Sequence, residues 1–295
     1  GRRVRRSSTR AWSSCRPTSR QARSSPRSTS RREKKFGARR ATYDFTSLGR
    51  AKKSWLKTPP IARPLSDGQI GDGEIHQFLL PAEGWAAVAD TKQAKELAPD
   101  PARALKKWQR EILKKPSAKQ LDRLRGLSKR VERLWELAAR RLEISEREIS
   151  RNTEVWKADV EVVNTATTRE EVESGLFDPE GPYMRLRLAM DLWCAMWFWP
   201  MEAQDNAERE SVPTPPSLEG WIAALEGLLG AAGIKTVGEG QGMFHETIDR
   251  FDQLAEFDEL ERDFFGMRPL WKLLSQFPWL GTARSIAEDQ GFFHW

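Results

Sequence analysis

Apolar positions along the chain fall into helical stripes and very few alternating runs. The clearest stripe is Leu121, Leu124, Leu127, Val131, Leu134, Ala138 and Leu142, with Trp135 on its edge. Recurrence every three or four residues predicts one long amphipathic helix. Ser117-Ala-Lys-Gln120 is a capping box at its start. A shorter helix precedes it: Asp100 is an N-cap residue, Pro101 takes the first helical position, and Pro116 stops the segment near Lys115. The two predict a long antiparallel helical hairpin that projects from a globular body. Residues 150–182 read as a connection with some short structure. Pro182 then opens the most apolar element, Tyr183 to Trp199, which should lie inside the core from Leu188 onward. Asp191 interrupts it and needs a partner, which Arg187 supplies one turn earlier. After a polar, proline-rich loop at 201–216, Ser217 caps a helix to about Leu229, ended by Gly230 and Gly233. Ile234–Val237 predicts a brief strand, 243–260 an acidic amphipathic helix and 268–277 a last helix, with Pro278-Trp279-Leu280 leading to the end.

The first hundred residues carry weaker patterns. Residues 41–66 are loop-like, with Pro59, Pro60 and Pro64, and 67–76 are rich in turn formers. Phe78-Leu79-Leu80-Pro81 reads as a strand end and Trp85–Ala89 as a short apolar stretch. The expected fold class is mainly α, with few short strands. Four regions follow: 1–40 disordered, 41–99 loop-rich, 100–149 a basic helical hairpin, and 150–295 a Trp-rich helical region.

Composition adds one strong point. The chain has 13 Trp against 2 Tyr, and tryptophan at that level implies a buried core over most of the body. Two cysteines, Cys15 and Cys194, suggest no disulfide framework. No apolar run reaches membrane-spanning length, and the basic N-terminus has no apolar stretch behind it. The expectation is a cytoplasmic protein without a membrane partner.

Charge divides the chain. Residues 1–40 hold 15 Lys+Arg and one acid, so the net excess of +7 conceals an acidic remainder. The segment 1–32 lacks Asp, Glu, Lys, Leu and Ile and cannot build a core. Three readings fit it: a basic arm for nucleic acid, a targeting peptide, or GC-rich DNA read out of frame, the last favoured by the abrupt change near Lys34–Phe36. Within the body, residues 103–141 hold 14 basic and 4 acidic residues. Lys106, Arg110 and Lys114 share one helical face, and Arg123, Lys129, Arg130, Arg133 and Arg140 add charge on the next helix. Such a surface fits a phosphate backbone, or acidic parts of the same protein.

Other constellations are weak. Gly238, Gly240 and Gly242 have the spacing of a nucleotide or S-adenosylmethionine loop, yet a plain flexible loop fits better. His245-Glu246 is followed by Asp249 where a zinc-protease helix has its second His. Asp72, Glu74 and His76 would ligate a metal only if they converged, and Trp193, Trp197 and Trp199 suit a packed core better than a stacking platform for bases. No Ser/His/Asp or Cys/His set has useful spacing.

Four stretches carry a resemblance: Glu74-Ile-His-Gln-Phe-Leu-Leu-Pro81, Leu127-Ser-Lys-Arg-Val-Glu-Arg-Leu-Trp135, Leu186-Arg-Leu-Ala-Met-Asp-Leu-Trp-Cys-Ala-Met-Trp-Phe-Trp-Pro200, and Phe292-Phe-His-Trp295. Residues 40–295 resemble a segment of the large adenine-specific DNA methyltransferases of restriction and phage-defence systems, of type IIG, BREX and DISARM-like kinds. The resemblance stops over residues 1–36. It implies an S-adenosylmethionine-binding motif before such a segment and a catalytic Asn-Pro-Pro-aromatic motif soon after its Phe-His-Trp stretch. Pro59-Pro60 lacks both the Asn and the aromatic, so no catalytic residue carries over. The chain is therefore expected to be an internal piece, inactive alone, whose parent binds S-adenosylmethionine, flips an adenine from the duplex and methylates it. An α/β methyltransferase core, absent here, would be its partner. The chain would supply connecting helices and DNA-backbone contacts through Lys106, Arg110, Lys114, Arg123, Lys129, Arg130 and Arg133. The alternative is a free-standing helical nucleic-acid-binding or adaptor protein with residues 1–40 as a basic arm.

Overall fold

The capping box at Ser117 forms in both directions: Ser117 N–H donates to Gln120 Oε1 at 3.0 Å, and Gln120 N–H donates to Ser117 Oγ at 3.3 Å. Behind it runs the longest helix of the chain's described residues. The computed structural model describes residues 39–50, 55–64, 70–151, 169–201, 213–231 and 254–292. All lie in the compact unit Gly37–Trp295. The fold is mainly α. Its helices are α1 (Phe45–Arg50), α2 (Lys92–Leu97), α3 (Pro99–Ile112), α4 (Ala118–Arg151), α5 (Arg169–Leu176), α6 (Pro182–Ala195), α7 (Leu218–Leu229), α8 (Leu254–Phe264), α9 (Leu270–Gln276) and α10 (Trp279–Gln290). Three strands, β1 (Arg39–Asp44), β2 (Ile61–Pro64) and β3 (Glu74–His76), form an antiparallel sheet in the order β2-β1-β3.

The predicted stripe is the centre of the core. Leu121, Leu124, Leu127, Val131, Leu134 and Ala138 are all buried. They face α6 and α7, while α3 packs on α2 and on the 3-10 turn Ala87–Asp90. The two predicted helices form, but α4 is the spine of the body and does not project from it. Leu142 departs from the expected stripe and is 41% exposed. Near that end the buried face turns to Arg141, Ile144 and Ser145, where α5 packs. A strict seven-residue repeat drifts round a straight helix by about 20° per repeat, so three repeats after Leu121 the side chain points elsewhere.

Other differences from the sequence reading have local causes. Residues 41–66 are not simply loop, since β1, α1 and β2 lie within or across them, and Arg39 and Arg40 belong to β1. Phe78 and Leu79 lie in a 3-10 turn, Gln77–Leu79, directly after β3, with Leu80 as its extended cap, and not in a strand end. The element after Pro182 ends at Ala195, earlier than expected, and Phe198 is 42% exposed. The Arg187–Asp191 pair forms at 3.7 Å as expected, with the Asp191 side chain mostly covered and Arg187 more open. Helix α10 was not foreseen, although Trp279, Leu280, Ala283 and Ala287 are buried along one side of it. Gly230 ends α7 at φ +89°, and a Cβ there would stand 2.9 Å from Phe265 Cβ, so glycine alone fits. Among the described residues, no helix is long and apolar enough to cross a membrane.

Tryptophans hold the core together. The Trp85 ring stacks on Trp108 with centroids 6.2 Å apart, and its edges meet Trp221 at 5.0 Å and Trp197 at 6.2 Å. Indole N–H groups bind irregular backbone: Trp221 to Leu79 O at 2.9 Å, Trp193 to Leu80 O at 2.8 Å, Trp108 to Pro216 O at 2.6 Å. Each ring thus fills the core and satisfies a carbonyl that no regular ladder uses. This is the packed-core role for Trp193, Trp197 and Trp199.

Candidate nucleic-acid interface

Helix α3 has one face fixed and one face free. Leu105 and Ile112 are buried, Gln109 Nε2 donates to Trp85 O at 2.6 Å and Glu83 O at 3.1 Å, and Trp108 is tied to Pro216. At 100° per residue, Arg103, Lys107 and Arg110 lie within about 60° of arc on the opposite side, and Lys114 follows just past the end of the helix. All four are exposed. Arg103 pairs with Asp100 at the start of the helix. Lys106 lies at the flank of this crest and pairs with Asp90, whose carboxyl it holds below the ordinary aspartate range.

The cations of α4 have other surroundings. Arg123 makes a two-pronged bond to Glu226, 2.7 Å on each prong, and also pairs with Glu219 of α7. The Glu226 hydrogen bonds raise its pKa, against the effect of burial. Arg130 is buried, 2.8 Å from Glu261 of α8, with Nε donating to Leu229 O and its guanidinium 3.5 Å from the centroid of Phe265. Lys129 pairs with Asp72 at 3.2 Å and Arg133 with Glu136 at 3.6 Å. Arg140 pairs with Glu143 at 3.2 Å. Acidic parts of the same protein therefore meet most of the predicted α4 residues. Arg130 in particular faces the interior, where a phosphate has no access. The exposed residues of the original set are Arg110, Lys114 and Lys129, the last in a surface pair with Asp72. Arg103 and Lys107 were missed as members of the crest, though their 4-3-4 spacing with Arg110 and Lys114 is plain in the sequence.

A polar layer joins the sheet to α4. Glu132 Oε1 takes Arg40 Nη1 at 2.8 Å and stands 2.7 Å from His76 Nε2, while Oε2 accepts Ile70 N–H at 3.1 Å. Burial pushes the Glu132 carboxyl up, but the His76 hydrogen bond, the Ile70 N–H and the charge of Arg40 outweigh it and hold the pKa down. Glu74 accepts from Arg63 and from Thr42 Oγ1, and the Arg63 bond holds its carboxyl below the ordinary range. Asp72, Glu74 and His76 thus turn to three different partners and do not converge on a metal. Among the described residues no group of three His, Cys, Asp or Glu side chains is placed to hold a metal ion. The Cys194 thiol is pushed up to about 11 by burial and the nearby Asp191 charge, which makes it a poor nucleophile. Gly238–Gly242, His245, Glu246 and Asp249 lie outside the described residues.

The four stretches that carry the family resemblance come together in space. His76 N–H donates to Ser128 Oγ at 3.1 Å and its ring meets Glu132, which joins the first to the second. The Trp193 bond to Leu80 O joins the third to the first. Phe292, the described residue of the fourth stretch, lies against Phe198 of the third with ring centroids 5.6 Å apart. The sequence matches no known protein family model, no curated protein and no solved structure.

Proposed function

We propose that this chain is a non-catalytic connecting segment of an adenine-N6 DNA methyltransferase of the restriction or phage-defence kind, which helps to hold DNA by its phosphates. The observation that carries the proposal is the exposed cationic crest of α3 on a body whose remaining basic residues largely face its own carboxylates. The mutual packing of the four resembling stretches supports treating them as one structural unit. Phosphate neutralisation by Lys and Arg supplies affinity without sequence choice, as befits a segment that leaves target reading and chemistry to an associated core.

The described residues do not fit S-adenosylmethionine. Such cofactors sit where a strand passes through a glycine turn into a helix N-terminus of a parallel sheet. Here the described sheet is antiparallel and β3 leads into a 3-10 turn. In this reading the cofactor and the flipped adenine belong to the methyltransferase core, and the assembly works in the cytoplasm. The test is direct. The purified chain should bind duplex DNA with an affinity that falls steeply with salt, and should transfer no labelled methyl group from S-adenosylmethionine to it. Transfer of label, or absence of DNA binding at low salt, overturns the proposal.

A further inference from the structure

Resting on that reading, we infer that the crest of α3 is a rail along one strand of a DNA duplex, gripping phosphates and leaving the bases unread. Arg103, Lys107 and Arg110 run parallel to the axis of α3, opposite the buried Leu105 and Ile112, and Lys114 stands exposed just past the end of the helix. The seven helical steps from Arg103 to Arg110 span about 10 Å at about 1.5 Å each. Phosphates of one strand rise about 3.4 Å apiece along the duplex axis and stand further apart along the strand itself, so roughly two or three face that length. Lys107, Arg110 and Lys114 therefore meet about as many charges, while Arg103 is engaged by Asp100.

The rest of the surface decides how the helix lies. A recognition helix enters a groove end-on, with base-reading side chains near its N-terminus. The start of α3 offers instead Pro99, Asp100 and Pro101. Two prolines remove N–H donors, and the carboxylate repels a phosphate, so the N-terminal end cannot lead. The helix lies sideways along the backbone. The crest also carries no aromatic side chain, and binding of single strands depends on stacking platforms. The occupant is thus a duplex. Helix α4 does not extend the rail, because Arg123 and Arg130 are held by Glu219, Glu226 and Glu261. The rail is rigid, since Gln109 and Trp108 pin the opposite side of α3 to backbone carbonyls.

The experiment uses the full chain and a fluorescent 20-base-pair duplex, with affinity measured by polarisation between 50 and 200 mM salt. Lys107→Gln, Arg110→Gln and Lys114→Gln together should lower the slope of log K against log salt by about 2.7, from three lost phosphate contacts. The affinity ratio between wild type and variant then narrows about 40-fold across that salt range. The loss should be equal for two unrelated sequences. Lys107→Arg with Lys114→Arg should keep the slope, as should Lys129→Gln with Arg133→Gln. A head variant, Arg2, Arg3, Arg5 and Arg6→Gln, measures the contribution of the N-terminal segment separately. If wild type binds and the crest variant keeps its slope, the rail is wrong while the DNA-contacting reading stands. A preference for single strands of equal length overturns the duplex assignment. No binding by wild type at 50 mM salt removes both.

Discussion

Replacing Glu261 with Ala tests whether Arg130 belongs to the interior or to a DNA surface. Both side chains are almost wholly buried, and Arg130 Nη1 lies 2.8 Å from Glu261 Oε1. With the charges about 4 Å apart and an effective dielectric near 20, their attraction is about 4 kcal/mol. Burial pulls the guanidinium below its ordinary pKa and Glu261 works against that pull. Without Glu261 the guanidinium keeps only Leu229 O and the face of Phe265, and its charge is left without a counterion. Breaking such a pair by removing one partner costs about 3–5 kcal/mol. Urea unfolding at pH 7, followed by tryptophan fluorescence, reads this loss. The pair itself is imperfect: Arg130 Nη2 and Glu261 Oε2 are buried with no hydrogen-bond partner. Arg130→Met combined with Glu261→Leu should therefore recover most of the loss, to within about 1 kcal/mol of wild type or beyond it. The same double variant should bind DNA with an unchanged salt slope. A cost below about 1 kcal/mol for Glu261→Ala, or a double variant no better than the single, refutes the buried-pair account. A fall in salt slope returns Arg130 to the DNA surface.

Three further outcomes follow from the same geometry. The Glu132 and Glu74 carboxyls titrate below their unfolded value of about 4.3, so their stabilisation is present above that pH and is lost as pH falls through the folded values. Unfolding free energy measured from pH 7 to pH 3 should drop over that window, and Glu132→Gln should flatten the drop while lowering stability at pH 7. Cys194, with its thiol pushed up to about 11, should resist iodoacetamide at pH 8 in the native chain and react in urea, as peptide mass spectrometry reads it. Gly230→Ala should cost about 1–3 kcal/mol, because φ +89° and the 2.9 Å approach of Phe265 leave no room for a Cβ; an unchanged urea midpoint contradicts this.

Local chemistry was legible wherever one segment decided the outcome. Ser117 and Gln120 announced their capping box, Ser217 its cap, Pro182 the start of α6, and the leucines of α4 their burial. These signals depend on backbone groups and periodicities within a few residues, which a single chain displays in full. The sheet was not legible. Its strands are three to six residues long and exist because β1 pairs with both β2 and β3. Helix α10 was hidden for a related reason: beyond Trp279 and Leu280 its buried positions are Ala283 and Ala287, which read as neutral until α6 packs against them.

The basic surface shows the same division. By itself the sequence determined that a cationic, amphipathic pair of helices exists and that the four-residue steps of α3 place its lysines and arginines together. It could not say which of those charges face solvent. That was decided by Glu219, Glu226 and Glu261, about 100 to 130 positions away along the chain, which α7 and α8 bring onto α4. A charge pattern is local, but the partner that neutralises it is set by tertiary packing, because a partly buried ion requires whatever opposite charge the fold delivers. Thus Arg123 and Arg130 became part of the body's own cohesion, while Lys107, Arg110 and Lys114 stayed exposed.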